Sequence, residues 1–517
     1  MPSHGLRQCI GDVSPYLILL VIISTLGPLQ FGLHLAELNA PQDVISCRVK
    51  PAVSSRLSSV LSFVSSQDKV AASTLPDCIP MDDAQFAAVS SMFTLGGLVG
   101  ALGSGPLSSA KGRLPVMRLT SLFYATGSVI ETLGASVVMM AIGRVISGVG
   151  AGAATVIVPI YISEVAPPRE RGTFGAMTQV SINVGILVTQ TMGYFLSYGS
   201  AWRWILSSGI IIAASQGLGL LLVPESPAWL AANESVAKAK QTLQRIRGRS
   251  YDVEEEAAVW DSGLAPEEEG LLDDPSTRPV GTNPRRDSAA SKASGKNSSH
   301  LGFLQVIKDP LYRPGLIAAI GVMCAQQLCG INSIIMYSVS LLRDLLPINS
   351  ALLTIVISAI NLVTTAACSP LPDKLGRKTC LLLSIFGQGA SALVLAVSIL
   401  FETKVISALT VLFFVAFFAV GLGPVPFILA SELVGQEAVG ATQSACLGAN
   451  YVATFLVAQF FPIINVALNK RFGGAGWVYF IFAALAVLSG LFVQSRVPET
   501  KGKRDADEVW GRTRRID

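Results

Sequence analysis

Long apolar runs separated by short polar turns dominate this chain. A helix that crosses a hydrocarbon core about 30 Å thick needs about 20 apolar residues. Runs of that kind predict spans near 14–37, 83–108, 115–134, 136–162, 172–197 and 203–223. Six more are predicted near 314–340, 349–371, 379–401, 405–431, 440–468 and 475–495. Between the two sets the pattern changes. "KAKQTLQRIRGRS" has the periodicity of an amphipathic helix. From Glu254 onward the stretch turns acidic, rich in Pro, Ser and Gly and poor in aromatics, which predicts a disordered insert. Within it, "PRRDSAAS" sets Ser288 behind two arginines, a phosphorylation context.

Composition agrees with the spans. Of 517 residues, 51% are hydrophobic and only 14% charged, against about 25% charged in soluble proteins. The reading is an all-α polytopic membrane protein with twelve transmembrane helices. A net charge of +4 is too small to suggest a nucleic-acid partner; the lipid bilayer is the expected surrounding. What matters is where the charge lies. "AKGRLP", "PPRERG", "DKLGRK" and the tail "TKGKRDADEVWGRTRR" all fall on one side, with the central stretch and the N-terminus. Basic loops mark the cytoplasmic face, so both termini are expected there and the loop after the first span outside.

The two sets also repeat. Gly112-Arg113 recurs as Gly376-Arg377 at an offset of 264, and Ser163-Glu164 as Ser431-Glu432 at 268. Pro224-Glu225-Ser226 recurs as Pro498-Glu499-Thr500 at 274. Near-constant offsets imply two pseudo-symmetric six-helix bundles with a substrate site between them near the midplane. The expected units are an N-terminal bundle over 1–223 with its external loop at about 38–82, a linker over 224–313, a C-terminal bundle over 314–497 and a tail over 498–517.

Eight cysteines are scattered, without a C-x-x-C pair or a Cys/His cluster, so no metal or cofactor is expected. Cys47 and Cys78 flank the polar stretch after the first span. A disulfide would form there if that loop faces an oxidising compartment.

Several motifs combine into one signature: "GRVISGVGAG", "YISEVAPPRERGTFG", "PESPAWL", "QQLCGINSIIMYS", "LPDKLGRK", "GLGPVPFILASE" and "VPETKGK". Together with "QFG" in the first span and "NAPQ" just after it, the chain resembles the sugar porters of the major facilitator superfamily, close in pattern to the facilitative glucose transporters. The resemblance covers nearly everything except the central insert and the first external loop. It implies the major facilitator fold and alternating access, working as a monomer.

Polar side chains inside spans are costly and usually face a cavity. Here they are mostly amides, including Gln179, Gln190, Gln326, Gln327, Asn332, Asn361 and Asn450. An amide both donates and accepts, which suits a small neutral polyhydroxy ligand. The resemblance implies sugar contact by Gln179, Gln326, Gln327, Asn332, Asn361 and Asn450, with Phe418 and Phe427 as aromatic neighbours. Phe427 stands where the family has tryptophan, and Ala419 where it commonly has glutamate. "GLGPVP" predicts a kinked helix able to gate. The resemblance further implies a cytoplasmic ion-pair gate of Arg113, Arg144, Glu164, Arg171, Asp373, Arg377 and Glu432. Its first copy has Ser109 where the second has Asp373, and "GQEAVG" lacks the arginines of "PPRERG". The weight is therefore expected on Glu164, Arg171, Asp373 and Arg377.

His34 is the anomaly. Proton-coupled members have aspartate there and facilitative carriers asparagine. Glu37 lies three residues on, on the same helix face, and no other mid-span acid is apparent beside it. A hydrogen-bonding imidazole, a pH-sensing group and a coupling residue all stay open. No nucleophile–base pair, metal cluster or phosphate loop suggests an enzyme. The leading expectation is facilitative transport of a hexose or related polyol. The alternatives are proton–sugar symport and a non-transporting sugar sensor. Plasma, vacuolar and endosomal membranes all remain open.

Overall fold

A computed structural model describes residues 14–48, 75–167, 170–248, 253–262, 306, 308–342, 350–503 and 506–511. In the first half, α1 (Pro15–Ala36) is followed by the short α2 (Gln42–Ile45), then α3 (Asp83–Lys111), α4 (Arg113–Thr132), α5 (Val137–Val165), α6 (Arg171–Leu196) and α7 (Trp202–Gly219). Three helices form the linker: α8 (Pro227–Asn233), α9 (Val236–Arg247) and α10 (Glu254–Ser262). The second half contains α11 (Arg313–Leu328), α12 (Ile331–Leu342), α13 (Ser350–Cys368), α14 (Leu371–Leu375) and α15 (Arg377–Leu400). It closes with α16 (Lys404–Val420), α17 (Val425–Glu432), α18 (Gln436–Phe472), α19 (Val478–Arg496) and α20 (Ala506–Val509).

Among the described residues, eight helices are long and apolar enough to cross a membrane, or nine with the bent pair α11–α12 counted as one span. The remaining three of the twelve helical passes, α4, α6 and α7, carry more polar side chains, and part of these face protein. In α6 they include Asn183 and Gln190, both buried.

Local chemistry sets the helix ends. Ser14 caps α1 by accepting from Leu17 N at 3.0 Å, with Pro15 at the first position. Asp82 and Gln85 close a reciprocal capping box on α3. Gly112 and Gly376, at φ 95° and 100°, turn the chain between α3 and α4 and before α15, a conformation that favours glycine.

Two breaks matter for function. The seventh span bends by 40° between α11 and α12, at Gly330 with φ 97°. In the tenth span, the "GLGP" sequence separates α16 from α17. The kink expected there is present; the one in the seventh span was not foreseen. In the first half, α3 and α5 approach backbone to backbone. A Cβ on Gly152 would collide with Gly97 O, and one on Gly148 with Phe93 O. Across the halves, α3 packs on α18 and α6 on α13.

The linker differs in part from its expected disorder. Residues from Glu254 form α10, which Arg247 anchors through a paired contact with Glu256 at 2.6 and 2.9 Å. Arg247 also donates to Val165 O at the end of α5. Ser288 and the rest of the acidic stretch lie outside the described residues.

Candidate substrate site and its gates

Helices from both halves enclose one cavity with about 780 Å³ of empty space, part of it open to solvent. Gln179, Gln326, Gln327, Asn332, Asn361, Asn450, Phe418 and Phe427 all line it. Gln190 does not; its amide points at Ile335 O, 3.5 Å away. The amides of the second half form a chain. Asn332 Nδ2 donates to Gln327 Oε1 at 2.6 Å. Gln327 Nε2 donates to Gln326 Oε1 at 3.1 Å and to Asn450 Oδ1 at 3.2 Å. Asn450 Nδ2 donates to Gln326 Oε1 at 2.6 Å. This order follows from the bend at Gly330, which lets Asn332 on α12 reach back to Gln327 on α11.

The opposite wall adds residues that sequence reasoning missed. Gln179 Nε2 donates to Asn183 Oδ1 at 3.4 Å, and Asn183 Nδ2 to Thr365 Oγ1 at 2.9 Å across the halves. Thr94, Thr155, Thr454 and Tyr451 complete the polar lining. Asn183, four residues beyond Gln179, was visible as a second amide on the same helix face. The threonines carry no such signal, because a helical Thr usually bonds its own backbone. Among the described residues, no Asp, Glu, Lys, Arg or His lines this cavity.

His34 faces away from it. Phe31 and Leu35 of α1 line the cavity, whereas His34 is fully buried toward α4, α5 and α7. Its ring stacks on Tyr124 with centroids 5.4 Å apart. Nδ1 lies 2.9 Å from Glu37 Oε1, and Nε2 3.4 Å from Ser128 Oγ. Arg144 Nη1 donates to Glu37 Oε1 and to His34 O, both at 2.6 Å. Glu131 joins this group, contrary to the expectation that Glu37 was the only acid near His34. Ligand atoms of His34, Glu37 and Glu131 lie within 4.8 Å of one another. Glu131 Oε1 accepts from Ser147 Oγ at 2.7 Å. These three could approach a metal ion, but Arg144 already holds the same Glu37 oxygen and opposes a cation.

The profile of the family described as "Sugar (and other) transporter" matches residues 20–507. The chain belongs to that family. A probable metabolite transport protein of Saccharomyces cerevisiae is 34% identical over 511 residues, covering 99% of this chain and 98% of its own. Vacuolar protein sorting-associated protein 73 of the same yeast is 30% identical, with 96% of each chain covered. The rat solute carrier family 2 facilitated glucose transporter member 3 is 27% identical over 96% of this chain and 93% of its own. Among solved structures, the partially occluded inward-open xylose transporter XylE from E. coli superposes with a TM-score of 0.69 at 23% identity, over 95% of this chain and 100% of that one. That likeness shows the major facilitator fold. The chain is therefore an integral membrane transporter and not an enzyme.

The transporter's ion pairs sort by depth. At the end with the basic loops, Arg113 holds Glu164 with two hydrogen bonds, at 2.7 and 3.0 Å. In the second half Arg377 meets Glu432 and Asp373, each at 3.0 Å. The first copy, without the aspartate, keeps Glu164 paired with Arg113 by two hydrogen bonds, whereas Asp373 adds a contact to Arg377 in the second. Asp373 is 74% exposed, and a pair that open contributes little. Arg171 opens α6, and its side chain lies outside the described residues. Arg144 does not belong to this gate. It sits seven residues into α5, whose other end carries Glu164, about 30 Å away at 1.5 Å per residue. Its partners are at the opposite end of the bundle.

Two acids had no assigned role in sequence, although their repeat was plain. Glu225 accepts from Arg113 N at 2.9 Å and Leu114 N at 3.1 Å. Glu499 accepts from Arg377 N at 2.8 Å and Lys378 N at 3.1 Å. Each carboxylate caps the N-terminus of a span more than 100 residues earlier, where free N–H groups and the helix dipole favour an anion. Glu225→Ala and Glu499→Ala should each cost about 0.5–2 kcal/mol, as lost caps do. Thermal unfolding in detergent would register this as two separate drops in Tm, and unchanged melting would remove the caps from the account of stability.

Near the far end, Cys47 and Cys78 are disulfide-bonded. The segment around Cys78 is also strapped to α7, by Trp202 Nε1 donating to Asp77 O and Arg203 to Pro76 O, both at 2.8 Å.

Proposed function

We propose that this transporter carries a neutral hexose or related polyol by alternating access, as a facilitative carrier. The observation that supports it most is the cavity between the halves, lined by amides, threonines, aromatics and aliphatic side chains and, among the described residues, by no ionisable group other than Tyr451. Amides supply donors and acceptors to hydroxyls without demanding a charge. Aromatic faces at Phe418 and Phe427 suit the C–H faces of a ring. The relatives, a facilitated glucose transporter among them, point to the same substrate class.

In this reading the basic-loop end is cytoplasmic, with both termini and the linker. The Arg113–Glu164 and Arg377–Glu432 pairs stabilise the loops on that face. The disulfide-bonded loop faces an oxidising space, either outside the cell or within a vacuolar or endosomal lumen. The carrier works as a monomer.

A second reading, coupling to a proton, is favoured by one observation. The buried group around His34 holds two carboxylates and one guanidinium, so it can bind a proton.

Uptake by the purified protein in liposomes, across a panel of hexoses, pentoses and polyols, tests the first reading. Asn332→Ala should weaken the transported sugar about 2–10-fold for each hydrogen bond lost, from the 0.5–1.5 kcal/mol typical of one bond. Failure of the wild-type protein to move any sugar in the panel would sink the proposal.

A further inference from the structure

Hydrogen bonds between the two halves lie at two levels. At the disulfide end, Ser91 Oγ donates to Gln459 Oε1 at 2.8 Å and Asn39 Nδ2 to Ile335 O at 3.0 Å. Beside the cavity, Thr155 Oγ1 lies 3.1 Å from Tyr451 Oη, and Asn183 Nδ2 of α6 donates to Thr365 Oγ1 of α13 at 2.9 Å. Among the described residues, no hydrogen bond joins the halves at the basic-loop end. This conformation is therefore tied at the disulfide end and open toward the basic loops.

The Asn183–Thr365 bond is the middle of a longer relay. Gln179 Nε2 donates to Asn183 Oδ1, and Thr365 Oγ1 donates to Asn361 Oδ1, each at 3.4 Å. Every donor points the same way, from α6 across to α13. The Thr365 hydroxyl permits this, because it accepts on one side and donates on the other. Asn183 and Thr365 are both buried. The two ends of the relay are unspent. Among the described residues no hydrogen bond takes Gln179 Oε1 or Asn361 Nδ2, and both residues line the cavity. A polyhydroxy ligand that donates to Gln179 and accepts from Asn361 would close the relay into a ring. Bonds in a connected series strengthen one another, and the two outer links are long enough to tighten.

Resting on the reading of this cavity as a sugar site, we propose that Asn183 and Thr365 form a sugar-responsive strap between the halves. Both are positioning residues for the sugar-facing Gln179 and Asn361. A hydrogen bond of this length is largely lost when its atoms part by about half an ångström or more, so the strap does not survive a reorientation of α6 against α13. It favours the conformation open to the basic loops by the free energy it contributes there and not in the alternative. A sugar held across Gln179 and Asn361 tightens the strap, and its departure loosens it. Occupancy of the cavity is thereby felt at the interface between the halves.

Asn183→Leu, Thr365→Val and the double variant test this in the full-length protein, with Thr365→Ser as the rescue that keeps the hydroxyl. Hydrogen–deuterium exchange without sugar reports the balance of conformations. Each single variant should raise exchange over 35–45 and 455–465, at the disulfide end, about 2–10-fold, the factor one ordinary hydrogen bond supplies. Exchange over 101–111 and 436–447, at the basic-loop end, should fall. The double variant should shift no further than either single one, because the two residues share one bond. Thr365→Ser should match wild type. D-glucose should slow exchange over 35–45 in the wild-type protein and leave the single and double strap variants unmoved. Should Asn183→Leu fail to fold, Thr365→Val against Thr365→Ser carries the comparison. A bond that merely glues two helices would lower Tm in both single variants and keep the wild-type balance of exchange between the two ends; that result overturns the proposal. A double variant that adds the two single shifts overturns it as well. If D-glucose leaves the wild-type protein unchanged, the sugar response fails with this probe, while the sugar-free comparison still decides the strap.

Discussion

Arg144→Ala is expected to abolish transport and to destabilise the folded protein by about 3–5 kcal/mol, the cost of removing one partner from a buried ion pair. The side chain is 1% exposed and its partner Glu37 is fully buried. Its guanidinium also rests on Phe93, 4.5 Å from the ring centroid, so truncation loses packing as well as charge. Removal would leave two carboxylates, Glu37 and Glu131, facing each other without a cation in a low-dielectric interior. The contrast with Arg113 is direct. Arg113 pairs with Glu164 at a partly buried site, 16% and 17% open, where water can reach the lost partner's place. Arg113→Ala should therefore melt closer to wild type than Arg144→Ala. Thermal unfolding in detergent ranks the two, and the double variant Arg144→Met with Glu37→Gln should recover part of the lost stability by removing the stranded charge. Equal melting of Arg144→Ala and Arg113→Ala would contradict the burial argument.

What the sequence made legible followed from physical contrast. An amide within an apolar run stands out, because hydrocarbon penalises it; Gln179, Gln326, Gln327, Asn332, Asn361 and Asn450 were visible for that reason and meet at one cavity. The contrast is weaker for Glu131. It sits at the penultimate position of α4, where a carboxylate resembles an ordinary interfacial charge. Only packing against α1 and α5 turns it into a buried group. Arg144 was misplaced for a different reason. Its gate role came with the resemblance, although a span over 136–162 already sets it near the end away from the basic loop, and α5 does start at Val137. The caps by Glu225 and Glu499 could not be seen at all from local pattern. Each joins residues more than 100 positions apart, and a repeat identifies such a residue without naming its partner. The break at Gly330 was hidden inside an otherwise continuous apolar run, whereas the paired prolines and glycines of "GLGPVP" declared theirs.

The buried group around His34 decides between facilitation and coupling, and the expected result is facilitation. Glu131→Gln should keep sugar equilibration within about threefold of wild type, while Glu37→Gln should lose most of it. The asymmetry comes from the hydrogen bonds. Glu37 Oε1 meets both Arg144 Nη1 at 2.6 Å and His34 Nδ1 at 2.9 Å, so its negative charge is what binds the guanidinium. Glu131 has a hydroxyl, Ser147 Oγ, on one oxygen, and among the described residues its Oε2 has no donor. The same is true of Glu37 Oε2. With His34 neutral, two carboxylates and one guanidinium leave one negative charge in excess. One proton on Glu131 removes that excess and supplies a donor, and glutamine reproduces both its neutrality and its shape. A proton that stays there throughout the cycle is structural, and uptake should then run down a sugar gradient at the same rate with or without an imposed proton gradient. Coupling demands the opposite, a proton that enters from one side and leaves on the other. An inward proton gradient that drives sugar above equilibrium in the wild-type protein, with accumulation lost in Glu131→Gln while sugar exchange persists, would establish the symport reading. It would also mean that the charge lost at position 34, where proton-coupled members of the family have aspartate, is supplied from α4 by Glu131.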